Sequence, residues 1–252
     1  MVRMSVREAQ VLQDAQRQKR LLLEPGAECE PEREDDEEED EVVPFAVEAP
    51  ELREESLIWE GQPAGVEEAG LLGLTTALPP LLQAFSWVLV YRLSRDGASL
   101  QSLLRHAADA APSLLLAKVA REGNRDDVYV VGALASRALP SGGKWSGTGQ
   151  SWVCGCRLSS GPEEAEQMQT HGWSRESSCF QLCGKDEGLA YGGGGEHGYG
   201  LWFDPELQRA TSAACTTYGN TRSLLSPATG GADGDVSVAG AVLEVELWTF
   251  DM

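Results

Sequence analysis

Long apolar runs are missing from this sequence. No stretch reaches the roughly 20 apolar residues that a membrane-crossing helix needs. The first 25 residues hold no apolar segment of signal-peptide length and are studded with Arg3, Arg7, Glu8, Asp14, Arg17, Lys19 and Arg20. The expectation is a cytoplasmic protein without membrane insertion. Positive charge is also scarce: 20 Lys and Arg stand against 40 Asp and Glu, a net charge of -20. Such a chain has no general basic field for nucleic acid or anionic lipid. Histidine occurs only three times, which leaves few bases for general acid–base chemistry. With no export route in view, the six cysteines read as free thiols of a reducing compartment.

What is present divides unevenly along the chain. Much of the negative charge sits between Glu28 and Glu41, and glycine is concentrated after residue 120. Residues 1–56 read as an acidic, largely disordered tail, because like charges at that density repel and little apolar area is there to offset chain entropy. The tail is either simply solvated or an electrostatic recognition segment for a basic partner surface. Residues 5–23 are rich in helix formers and could form a short helix, alone or only on a partner. Residues 57–252 form the folded domain, entered through a segment at 57–80 that packs on its edge. The domain proper begins near Leu71 or a little earlier.

From Phe85 onward the pattern is that of strands. Trp87–Tyr91 is aromatic and β-branched, and Asp96-Gly97 makes a turn. After Ser99, residues Leu100, Leu103, Leu104 and Ala107 fall on one face of a helix. Strands are expected at 114–119, 128–134, 151–156 and 179–182, and as a hairpin-like unit from 188–191 and 199–203 around a glycine-rich turn. In the last strand Leu243, Val245 and Leu247 alternate with Glu244 and Glu246. That pattern reads as a half-buried strand with the two glutamates toward water. Many strands and one good helix imply an α+β fold of two packed antiparallel sheets with flanking helices.

Tests for chemistry come back mostly empty. Gly193–Gly198 satisfies G-x-G-x-x-G, but an aromatic strand follows where a dinucleotide site needs a helix N-terminus. Cofactors are not expected. Cys154 and Cys156 share one strand face, and Cys179, Cys183, His171 and His197 follow. The spacings lack the repeated C-x2-C knuckles of a zinc site, so no metal is expected. His106, His171 and His197 sit in unrelated contexts, and Ser151 lacks the second glycine of a nucleophile elbow.

Taken in order from Trp87 to Phe250, these blocks resemble the TLDc domain of the oxidation-resistance family. Trp87, Tyr91, Ser94-Arg95-Asp96-Gly97, Ser99 and Leu103-Leu104 resemble its opening strand, turn and helix. Val131–Ser136 and Trp145–Val153 are similar to its next two segments, the latter around Gly147-Thr148-Gly149. The closest similarity is Leu189–Gly195 with Tyr199–Asp204, followed by Ser212, Cys215–Asn220 and the closing Leu243–Phe250. Gln150 in place of the usual glutamate, and a long glycine-rich segment from Ser223 to Ala241, are departures.

The resemblance implies a two-sheet β-sandwich with flanking helices. It also implies a non-enzymatic protein, a monomer, that supports resistance to oxidative stress. Its partner would be the cytosolic sector of the vacuolar-type proton ATPase, which would bring it peripherally to vacuolar or lysosomal membranes. On this reading Gly147, Gly149, Gly193, Gly194 and Gly195 shape a contact surface, with Trp202 and Asp204 at the exit of the glycine turn. The same glycines could equally serve tight turns alone. Two alternatives stand beside this: a peroxide-reactive thiol at Cys215, and a scaffold acting through its acidic tail.

Overall fold

The computed structural model describes residues 47–140, 142–158, 166–184, 187–194, 198–227 and 237–252. The short helix expected at 5–23 and the acidic run lie outside them. The described chain builds helix α1 (Val66–Ala77), strand β1 (Trp87–Arg92), a short turn of helix α2 (Leu93–Asp96) and helix α3 (Leu100–His106). Strands β2 (Ser113–Arg121), β3 (Val128–Ala135), β4 (Trp152–Leu158) and β5 (Gln169–His171) follow. Then come β6 (Gln181–Gly184), β7 (Gly188–Tyr191), β8 (Leu201–Phe203), β9 (Arg209–Ser212) and β10 (Val238–Phe250).

The named strands pair antiparallel throughout, and β10, a strand of 13 residues, joins β1, β2 and β9. Its whole length pairs with β2, its first half also with β9, and its second half with β1. A register shift between Val242 and Glu244 marks the place where it changes partners. The strand order is therefore β5-β4-β3-β2-β10-β9-β8-β7-β6, with β1 branching from β10. Two layers result, one of β5-β4-β3-β2-β10-β1 and one of β9-β8-β7-β6. Leu115, Ala117, Val119, Val131 and Ala133 of the first meet Leu189, Tyr191, Leu201, Phe203 and Ala210 of the second in one buried core. This is the α+β sandwich expected from the sequence.

The first layer is covered on its other face too. Leu114, Leu116, Val130, Cys154, Trp152 and Trp248 pack beneath Leu71, Leu74 and Leu78 of α1 and against Ile58 and Trp59. Sheets buried on both faces lose the alternation of apolar and polar residues, which is why β2 and β3 read as nearly continuous apolar runs. The expected helix after Ser99 is present, and the Ser99 hydroxyl accepts from the Ser102 N–H at 3.1 Å as its N-cap.

Three expectations need correction. Glu244 and Glu246 do not face water: both are buried, Glu246 completely, whereas Leu243 is half exposed. The face they occupy is the one that also carries Trp248 and Phe250, and it lies under the segment before α1. Glu246 accepts from the Ser56 hydroxyl at 2.7 Å, the Leu57 N–H at 2.8 Å and the Trp248 indole at 3.2 Å, and pairs with Arg92 at 3.1 Å. The ordered chain also starts before residue 57, the expected start of the folded domain. Glu51 and Arg53 exchange backbone hydrogen bonds with Trp87, and Ile58 and Trp59 are core residues. The strand expected at 179–182 runs instead from Gln181 to Gly184.

Candidate docking surface

The GTG turn and the glycine run are far apart in sequence, yet the fold places both against one loop, residues 172–180. The turn is fixed first. The Ser146 and Gln181 backbones form a two-bond bridge, and the Gln181 amide donates to the carbonyls of Arg137 and Ala138 at 3.1 Å. The Thr148 N–H and hydroxyl both reach the Ser136 hydroxyl at 2.9 Å, which in turn bonds Ser151. Gly147, at φ 112°, lies over Phe180, where a Cβ would come within 2.7 Å of the Phe180 Cβ. A Cβ on Gly149 would run into the Trp173 indole.

The glycine run reaches the same loop from the other side. The Gly192 N–H donates to the Phe180 carbonyl at 2.9 Å, and that of Gly193 to the Cys179 carbonyl at 3.0 Å. Gly193 packs on the Trp145 indole, and Gly194, at φ 86°, on the Thr216 hydroxyl. The Cys215–Asn220 block closes behind it. Thr217 donates its hydroxyl to the Gly193 carbonyl at 2.9 Å, Tyr218 to the Phe180 carbonyl at 2.9 Å, and Asn220 its amide to the Ala213 carbonyl at 2.8 Å. Gly147, Gly149, Gly193 and Gly194 thus gather at one loop, with Gly149 and Gly194 exposed, Gly147 half-buried and Gly193 buried. Gly195 and His197 lie outside the described residues.

Trp202 and Asp204 do not join that surface. In the β7–β8 pair, Trp202 stands opposite Ala190, and its indole donates to the Glu187 carbonyl at 2.7 Å, at the end away from Gly192. Asp204 caps the loop into β9, accepting from the N–H groups of Gln208 at 2.7 Å and Arg209 at 2.9 Å. Its role there is a turn.

Cys215 is buried, with its sulfur packed where side chains on Gly192 and Gly200 would stand. Burial pushes its thiol up, against backbone hydrogen bonds from Tyr218 and Thr217 that pull it down. The other buried thiols among the described residues lie in two places. Cys154 and Cys156 lie under α1, whereas Cys183 lies in the inter-sheet core. Burial holds Cys156 at about 12 and Cys183 at about 11. Among the described residues no three His, Cys, Asp or Glu side chains gather as metal ligands.

His106 is on α3 with its ring against the Ser102 carbonyl, and His171 is on β5, its pKa lowered by burial. Ser151 bonds Ser136, not a histidine. Hollows of about 760 and 820 Å³ lie elsewhere, beside the β2–β3 connection and between α1 and β4. Neither hollow is lined by the glycine turns, whose exposed parts, Gly149 and Gly194, suit another macromolecule more than a small molecule.

The sequence reading missed the loop at 172–180 and the pinning role of the 215–220 block. The available signal was Trp173, a single tryptophan among Gly, Ser, Arg and Glu with no strand pattern around it.

Fold and surface together describe a β-sandwich that displays structured turns. The family model of the TLDc domain matches residues 67–251, and the chain belongs to the TLDc family. Human "Oxidation resistance protein 1" is 33% identical over 148 residues, covering 58% of this chain and 15% of that protein. The protein of the same name from Xenopus tropicalis is 29% identical over 179 residues, 71% of this chain and 18% of its own length. Mouse "Nuclear receptor coactivator 7" is 28% identical over 179 residues, 71% and 16%. The chain therefore spans less than a fifth of the length of these relatives. Among the described residues no helix is long and apolar enough to cross a membrane.

Proposed function

We propose that this chain is a non-enzymatic binding protein whose TLDc domain docks on the cytosolic sector of the vacuolar-type proton ATPase. In doing so it supports resistance to oxidative stress. The observation that carries this reading is the site at which the family-like turns converge: Gly147 and exposed Gly149 from one side, exposed Gly194 beside buried Gly193 from the other, around one hydrogen-bonded loop. Turns pre-ordered in this way bind a partner without a large ordering cost. The names of the oxidation-resistance relatives support the stress role, and the ATPase is the partner implied by the resemblance.

The peroxide-reactive alternative is disfavoured by chemistry. A thiol acts as a nucleophile through its thiolate, and burial of Cys215 favours the neutral form. Titrating the full chain onto purified cytosolic ATPase sector, while ATP hydrolysis is followed, tests the proposal. Saturable binding with a change in hydrolysis is expected. No binding at micromolar concentrations, or peroxide consumption that disappears in Cys215→Ser, would replace it.

A further inference from the structure

The loop between β5 and β6 holds a solvent-facing tryptophan and an arginine in a backbone conformation that arginine rarely adopts. Trp173 is 40% exposed, the one aromatic among the large exposed apolar side chains of the described residues. Arg175, two residues on, is exposed and has φ 72°. A non-glycine residue in the left-handed region is uncommon and is held there by its surroundings.

Here the surroundings are explicit. The Ser174 N–H donates to the Thr217 carbonyl at 3.0 Å, and its hydroxyl donates to the Thr216 carbonyl. The Glu176 N–H donates to the Ser174 hydroxyl at 3.1 Å, and the Trp173 indole N–H to the Ser177 carbonyl at 2.6 Å. The indole lies edge-on to Phe180, with ring centroids 5.6 Å apart, and covers Gly149. Every anchor belongs to the loop itself, the GTG turn, or the 215–220 block.

Nothing inside the described fold uses the arginine. It makes no ion pair among the described residues, not even with the adjacent Glu176, in a chain with twice as many acids as bases. Around it, apart from Glu176, the exposed positions of the loop and the segments packed on it are small or uncharged: Gly149, Gln150, Ser178, Gly194, Thr216 and Gly219. A held Trp beside an Arg on a fixed backbone, ringed by Gly, Ser and Thr, makes up the composition of a protein-binding surface. Arginine's planar fork takes a carboxylate in a bidentate pair. A polyanion such as nucleic acid or a lipid surface would meet the repulsion of the whole chain, whereas one or two carboxylates beside an apolar side chain would meet far less of it.

We infer that Trp173 and Arg175 form the docking point for an acidic, partly apolar patch on a protein partner. The inference rests on the proposed function and specifies which face of the domain makes contact and with what chemistry. The loop backbone is held by the fold before binding, so only the arginine side chain remains to be ordered.

The test measures binding of the full-length chain to purified cytosolic ATPase sector by biolayer interferometry, with melting midpoints recorded for each variant. Arg175→Glu is expected to weaken binding by about tenfold or more. Arg175→Gly is expected to weaken it comparably while the midpoint stays level or rises, because glycine relieves the left-handed backbone. Glu176→Gln should tighten binding by removing a like charge from the partner's acids. Arg125→Glu, an equally exposed arginine at the β2–β3 connection, should leave binding unchanged if the contact is local.

Equal affinity for wild type and both Arg175 variants would overturn the docking point and leave the proposed function standing. An equal loss in Arg125→Glu would also overturn it, in favour of a general charge effect. No binding by the wild-type chain would overturn the proposed function and the docking point with it.

Discussion

Glu246 shows how a single side chain can hide a structural role in a polar position. A strand reading of Glu244, Glu246, Trp248 and Phe250 puts all four on one face. Two glutamates suggest water there, and two large aromatics suggest a core. The aromatics prevail, and the carboxylate is satisfied by Ser56, Leu57, Trp248 and Arg92. Breaking one side of a buried pair costs about 3–5 kcal/mol, because the partner stays behind uncompensated. Glu246→Gln keeps the shape but leaves Arg92 without its counter-charge, so urea unfolding should show a loss of about 3 kcal/mol. A change below about 0.5 kcal/mol would mean that the pair is solvated in practice.

The thiols are testable at the same scale. In native protein at neutral pH, a maleimide should label Cys179, which is half-buried, well before Cys154, Cys156, Cys183 or Cys215. Peptide mass spectrometry would read the order, and early labelling of Cys215 would revive the peroxide reading.

Elements were legible where one face carried the pattern. The helix after Ser99 has an apolar stripe and a capping serine, and it appears as expected. Helix α1 was not foreseen, because Gly70 and Gly73 weaken its helix propensity and Pro79 follows closely. Those glycines are there for contact. A Cβ on Gly70 would overlap the buried Trp59 ring. Two effects therefore oppose each other in Gly70→Ala. Helix propensity favours alanine by about 1 kcal/mol. Overpacking a rigid, buried indole costs about 1–3 kcal/mol. Packing should prevail, and thermal melting should show a lower midpoint; a raised one would mean that Trp59 has room to move.

The corner between β1 and α3 carries a pH dependence. The Arg95 guanidinium beside Asp96 holds its carboxyl below the usual range against the upward pull of burial, and the Arg92 N–H assists. A depressed folded pKa gives stability that is present above the unfolded value, about 3.9, and is lost as pH falls through the folded one. Asp96→Asn should therefore flatten the fall in stability below about pH 4. Arg95 is 41% exposed, so solvent keeps the effect modest. An unchanged acid limb would place the linkage elsewhere.

For the molecule as a whole, strands and their order along the chain could be read from residue pattern, because β-branched and aromatic runs mark them whatever they pack on. The role of β10 in joining β1, β2 and β9 could not. The register shift between Val242 and Glu244, which falls between its β9 and β1 partners, leaves no local mark in the sequence. The candidate surface was half legible. Gly147, Gly149, Gly193 and Gly194 were foreseen and come together, whereas Trp202 and Asp204 lie at the other end of the β7–β8 pair, and the loop that joins the glycines was missed. Glycine marks where backbone approaches closely but not what it approaches.

The domain's start is likewise a tertiary fact, since Ile58 and Trp59 are core residues that no periodicity announces. A chain beginning at residue 71 would lose both and strand Glu246. It should be insoluble or unfolded by circular dichroism, whereas one beginning at residue 47 should fold.

The central claim is that partner binding resides in the TLDc domain rather than in the acidic segment before it. It is tested most directly by comparing the affinity of the full chain and of residues 47–252 for purified cytosolic ATPase sector under one set of salt conditions. Affinities that agree within about threefold, or 0.7 kcal/mol, would be the expected result. Binding by the full chain alone would contradict it and place recognition in the acidic segment.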